Sequence, residues 1–172
     1  MKYAAFLRGI NVGGPTIGML ELKANFQSLG LEDVSTLLQT GNVVFNSEKA
    51  PSVLKREIED SLAKEFGYPA RAQIRSIESL QKIIDDYPFD DSADEYQHYV
   101  VLFDDGLEND LIKEANDIHE TIEVIQAGNS VLYWRVLKGM TLKSPFSKYL
   151  TKAQYKAFHT NRNLNTLRKV VG

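Results

Sequence analysis

Val34-Ser35-Thr36-Leu37-Leu38-Gln39 and Val43-Val44-Phe45, joined through Thr40-Gly41-Asn42, read as two antiparallel strands on a tight turn. Gly41 can take the positive φ that such a turn requires. Before this hairpin, Met19, Leu22, Phe26 and Leu29 fall at helical spacing, and Gly30 supplies a stop. Residues 2–8 alternate loosely and read as a first strand. After the hairpin, Ala50-Pro51-Ser52 opens a helix carrying Leu54, Ile58, Leu62 and Phe66, which Gly67 ends. Residues 70–75 alternate again as a fourth strand. The order β-α-β-β-α-β is that of the split βαβ, or ferredoxin-like, unit.

The pattern then restarts. Ser76 is a candidate cap for a helix over 77–84. Pro88 and Asp90-Asp91-Ser92-Ala93-Asp94-Glu95 break that helix and mark the best linker in the chain. A strand over 96–103, a helix over 107–119 and a strand over 121–126 follow. Gly128-Asn129 turns into a strand over 131–136, so both hairpins turn on a Gly-Asn pair. Ser144-Pro145-Phe146 starts a helical stretch to Phe158, and residues 164–171 are helical again. No closing strand is evident. The expected fold is therefore α+β: two tandem ferredoxin-like halves, 1–88 and 96–172, the second incomplete and closed by C-terminal helices.

At 172 residues, with 43% hydrophobic and 25% charged side chains, the composition is that of an ordinary folded domain pair. The absence of cysteine excludes disulfides, thiolate nucleophiles and Cys-ligated metal sites. No apolar run approaches the roughly 20 residues of a membrane helix, and Met1–Arg8 is unlike a signal peptide, so the expected location is cytoplasmic without membrane contact. The net charge of −3 conceals a segregation. Residues 135–172 hold nine Lys/Arg and no Asp/Glu, whereas residues 85–123 hold 14 carboxylates and one lysine. Either the basic region seeks an anionic partner, or the two segments neutralise each other within the fold or in a homodimer.

The first β-to-α junction, Leu7-Arg8-Gly9-Ile10-Asn11-Val12-Gly13-Gly14, brings an arginine, an asparagine and three glycines to one loop. It fits neither G-x-x-x-x-G-K-[ST] nor G-x-G-x-x-G, so a P-loop or dinucleotide site is not indicated. Backbone amides at Gly9, Gly13 and Gly14, the Arg8 guanidinium and the Asn11 carboxamide form a plausible anion cradle. In a split βαβ unit the first and third strands are neighbours, which brings Gln39 and Asn42 of the hairpin tip toward that loop. The bland reading is that Gln39 and Asn42 satisfy turn backbone. Near the C-terminus, Asn161, Arg162, Asn163 and Asn165 sit in an acid-free stretch suited to phosphate or amide-edge recognition, or to capping a helix.

His98, His119 and His159 form no metal-binding spacing, and the paired aspartates at 85–86, 90–91 and 104–105 lack the spacing of an oxygen-ligand loop. No metal or cofactor is expected. No G-x-S-x-G is present either. Alternation over Tyr133-Trp134 places one ring in the core and the other outward.

Leu7–Gly14, together with Gln39-Thr40-Gly41-Asn42-Val43-Val44-Phe45 and Thr160-Asn161-Arg162-Asn163-Leu164-Asn165-Thr166, resembles domain-of-unknown-function family 1697 of small bacterial proteins. The motifs run in the same order across nearly the whole chain. The resemblance implies a fold and a residue set but no reaction. The family usually carries basic residues and a proline where this chain has Pro15-Thr16-Ile17-Gly18, and often a tryptophan at Leu164.

Together these features suggest binding of an anion, a nucleotide or nucleic-acid phosphate, at a site joining Arg8, Gly9, Asn11, Gly13, Gly14, Gln39 and Asn42 to Asn161, Arg162, Asn163 and Asn165. An enzyme acting on a small phosphorylated or carboxylated metabolite at the same site is one alternative, with His159 as the candidate base and catalytic residues unknown. A self-association or protein-interaction module is another.

Overall fold

The computed structural model describes residues 1–11, 14–104, 106–115, 118 and 120–172. The chain forms a mixed α/β protein with two four-stranded antiparallel sheets and, among the described residues, seven helices. Two compact units contain Met1–Leu80 with Val170–Gly172, and Gln81–Lys169. The divisions fall inside α3 (Ile77–Asp85) and α7 (Leu164–Val171), and residues 88–95 lie within the second unit.

In the first unit, β1 (Lys2–Arg8), α1 (Met19–Ser28), β2 (Glu32–Leu37), β3 (Asn42–Asn46), α2 (Pro51–Phe66) and β4 (Arg71–Ser76) build a sheet of order β2-β3-β1-β4. The elements follow their local signals. Glu21 Oε2 accepts the Gly18 N–H at 3.0 Å to open α1. Pro51 begins α2, and Gly67 ends it in the left-handed conformation. Leu54, Ile58 and Leu62 sit four residues apart, so one stripe of α2 is buried. With Leu22 and Phe26 of α1 they cover Tyr3, Ala5, Leu7, Val43 and Phe45. Each Leu, Ile, Val and Phe among them contributes about 1.5–3 kcal/mol by leaving water.

The second unit repeats the strand order with different material. Its β5 (Tyr96–Phe103), α4 (Leu107–Glu114), β6 (Glu123–Ala127), β7 (Val131–Leu137), α5 (Pro145–Leu150), α6 (Ala153–Lys156) and β8 (His159–Asn163) give a sheet of order β6-β7-β5-β8. The expected incomplete second half is thereby corrected: β8 closes it, pairing Tyr99 with Asn163 and Phe103 with His159. The sequence HTNRN carries no apolar alternation, so the ladder with β5 rather than propensity makes it a strand. The helix expected over 107–119 is described only to Glu114; Asn116, Asp117 and His119 lie outside the described residues.

Tyr133 and Trp134 point to opposite faces of β7, yet both are buried, which corrects the expectation of one outward ring. Trp134 stacks with Tyr99 and Phe146 at centroid distances of 5.2 and 5.1 Å, while the Tyr133 hydroxyl donates to the Ile83 carbonyl at 3.0 Å. Beneath Trp134 lies a fully buried carboxylate. Glu123 accepts from Trp134 Nε1 and from the Phe146 backbone N–H, both at 2.9 Å. Phe146 opens α5, so a negative group sits where the helix exposes its unpaired amides.

Candidate functional sites in the two units

The β1–α1 loop of the first unit is held by Asn11. Its backbone has φ +57°, a conformation asparagine tolerates better than most residues. Asn11 Nδ2 donates to the carbonyls of Ile17 and Gln39, each at 3.1 Å, and its Oδ1 accepts the Ile17 N–H at 2.8 Å. Loop and hairpin tip therefore meet as expected, and Asn11 is the tie between them. Asn42 is fully buried beside Phe6 in the ladder, with Nδ2 donating to the Leu37 carbonyl and the Thr40 hydroxyl at 3.0 Å each. Its carboxamide thus satisfies turn groups. The Gln39 side chain is exposed at the tip.

Two glycines of the loop have definite reasons. Gly9 has φ +75°, and Gly14 lies so close to the Gly9 carbonyl that a Cβ would stand 1.8 Å from its oxygen. Gly13 lies outside the described residues. Arg8, half-buried at the end of β1, stands directly opposite Arg71 of β4. Burial pushes the Arg8 pKa below its ordinary value, so the charged form is held at an energetic cost. Among the described residues, Arg71 has one carboxylate within reach, Glu59 at 3.7 Å. Sequence reasoning missed Arg71 because it opens a strand 63 residues away; only the β1–β4 register brings the two together.

The C-terminal asparagines belong to the second unit. Asn163 Oδ1 accepts the Asn165 N–H at 2.9 Å at the start of α7, a capping arrangement. Arg162 donates to the Thr160 hydroxyl at 2.7 Å and to the Asn161 carbonyl at 2.9 Å. Asn161 Oδ1 is buried without a partner. His159, the candidate base of the enzyme reading, is buried with Nε2 at 2.9 Å from the Leu150 carbonyl.

Charge segregation is answered inside this unit. Lys138 pairs with Asp94, Lys152 with Glu114 and Arg168 with Asp91, each bond joining the basic segment to the acidic one. Glu114 also accepts from the Tyr155 hydroxyl, which together with Lys152 holds its pKa below the usual glutamate value. Among the described residues no cluster of three or more His, Asp or Glu could hold a metal, and no helix is long and apolar enough to cross a membrane.

A solved structure titled a conserved bacterial protein, SP0830 from Streptococcus pneumoniae, is similar over 99% of this chain and 96% of its own, at 27% identity and a TM-score of 0.81. No curated protein matches. A family model described as a protein of unknown function, DUF1697, matches residues 1–133, and the chain therefore belongs to that family.

Proposed function

We propose that the first unit binds an anionic ligand, the phosphate of a nucleotide or of a nucleic acid, at the junction of β1 and α1. The observation that carries this reading is the pairing of Arg8 with Arg71 across the β1–β4 ladder. Like charges directly opposite on one sheet face repel, and a bidentate oxyanion set between two guanidiniums replaces that repulsion with charge-assisted hydrogen bonds. Gly9, where a Cβ would meet nothing within 4 Å, leaves the backbone beside Arg8 open to a ligand, and the exposed Gln39 carboxamide adds a donor and an acceptor. In this reading Asn11 and Asn42 shape the loop rather than touch the ligand. The element order β-α-β-β-α-β of the first unit, and the same strand order in the second, support assigning both to the ferredoxin-like class.

Thermal unfolding in the presence of inorganic phosphate, nucleoside phosphates and oligonucleotides tests the proposal. A ligand that binds only the folded chain raises the midpoint by mass action. The gain is expected to disappear in both Arg8→Ala and Arg71→Ala. Oligonucleotide binding is expected to weaken steeply with salt, in proportion to the phosphates contacted. Stabilisation that persists in both variants would place the anion elsewhere.

A further inference from the structure

The second unit contains a cavity of about 240 Å³ between segment 91–98, Lys138 at the end of β7, and the β8–α7 junction. At about 30 Å³ per water, this volume corresponds to roughly eight waters, room for a ligand of about ten non-hydrogen atoms. Its wall includes His98, 8% exposed, whose Nδ1 meets the Tyr87 hydroxyl at 3.0 Å. Burial lowers the pKa of this imidazole below its ordinary value, against the opposing pull of the Ala93 backbone and the nearby aspartates.

The orientation of the amides in the wall follows from groups that have only one option. Arginine can only donate, so the Asn165 atom 3.2 Å from Arg168 is its oxygen. The Asn165 backbone N–H fixes the oxygen of Asn163 in the same way. The Asn163 amide nitrogen must then meet Gln97 Oε1, as it does at 3.4 Å. What remains unused is a set of donors, Gln97 Nε2 and Asn165 Nδ2, beside the Lys138 ammonium. On the rim, Asp91 and Asp94 each have one oxygen in an ion pair, with Arg168 and Lys138, and a second oxygen available. These four charges cancel.

We propose that this cavity binds a small zwitterion of the α-amino-acid class. Its carboxylate is received by the Gln97 and Asn165 amide N–H groups and Lys138, and its ammonium by the outer oxygens of Asp91 and Asp94. Lys138 lies against Asp94, and Arg168, just outside the lining, joins Asp91 to Asn165, so unused donors and carboxylate oxygens alternate around the rim and match a small ligand carrying both charges. A bare anion would leave the aspartates opposing it.

Isothermal titration calorimetry on the full chain with glycine, serine, glutamine and glutamate tests this, with propionate and ethylamine as probes lacking one charged end and inorganic phosphate as the competing anion. At least one amino acid is expected to bind. Either single-ended probe is expected to bind about tenfold more weakly or worse, a difference of about 1.4 kcal/mol. Gln97→Leu and Asn165→Ala should each weaken binding about tenfold, and circular dichroism reports whether each remains folded. Arg8→Ala should leave amino-acid affinity unchanged, which separates this site from the anion site of the first unit. The proposal is overturned if no amino acid binds at concentrations on the order of 10 mM, weaker than any useful affinity. It is equally overturned if propionate or phosphate binds as well as the amino acids, or if affinity survives both cavity variants.

Discussion

The two units share a strand order and differ in what fills the helix side of the sheet. In the first, α2 runs 16 residues and α1 10, and their stripes of Leu, Ile and Phe are enough. In the second, α4, α5 and α6 run eight, six and four residues, and aromatic rings with a buried carboxylate take the place of the longer helices. Glu32 and Glu123 both open the second strand of their unit, but the first is exposed and the second fully buried. A short helix leaves a larger share of its amides without internal partners, so it needs an acceptor from elsewhere in the chain. The ties between helices differ in the same sense. Asn25 of α1 reaches Ser61 and Glu65 of α2 with a neutral amide, whereas Glu114 of α4 gathers Lys152 and Tyr155 around α6 with a charge.

Substituting the buried carboxylate breaks this contrast most severely. Glu123→Ala strands the Trp134 indole N–H and the Phe146 amide, at about 1–3 kcal/mol each. Urea unfolding followed by fluorescence of Trp134, the sole tryptophan, should show a loss of about 2–6 kcal/mol on that basis. Glu32→Ala should stay within about 0.5 kcal/mol, as surface changes usually do. Next, Leu62→Ala in the α2 stripe should remove about 2–5 kcal/mol through lost burial and the cavity left behind, measured by the same denaturation.

The Gly-Asn turns give a third, smaller effect. Gly41 has φ +75°, but in the second hairpin the left-handed residue is Ser130, and Gly128 is required because a Cβ would stand 2.6 Å from Val131 Cγ2. Gly128→Ala should destabilise by about 1–3 kcal/mol through overpacking. Val131→Ala in the same chain should restore part of that loss in a double-mutant cycle, whereas no such relief removes the positive φ at Gly41. The smallest effect is in acid. The folded pKa of Glu114 lies below its ordinary 4.5, first because Tyr155 and then Lys152 hydrogen-bond to it. The ionised carboxylate therefore stabilises the fold above that value, and the contribution is lost as pH falls through the lower folded pKa. Glu114→Gln should flatten the acid limb of a stability–pH curve below about pH 4.5 and leave the neutral plateau shape unchanged.

Periodicity and stop signals made the first unit legible from its residues, because α2 and the hairpin carry their own patterns. They failed at β8, where strand formation is imposed by a neighbour. Asparagine was ambiguous for a different reason. Asn11, Asn42 and Asn163 sit where a ligand-reading amide would sit, yet each uses its side chain on nearby backbone, and the two roles look alike in one dimension. Glu123 was hidden because its partners lie 11 and 23 residues away, and a glutamate opening a strand reads as solvent-facing. Gln97 and His98 passed as ordinary strand residues until β8 and α7 closed over them. The Arg8–Arg71 juxtaposition needed the ladder register.

The polar strand β8 lies at the outer margin of its sheet. Its partly exposed residues, Asn161, Arg162 and Asn163, offer a sister molecule no greasy, flat strip on which to add another strand, and a charge on such a margin discourages edge-to-edge pairing. The poor strand-forming character that conceals β8 in the primary structure is the same character that makes it an unattractive template for a further strand.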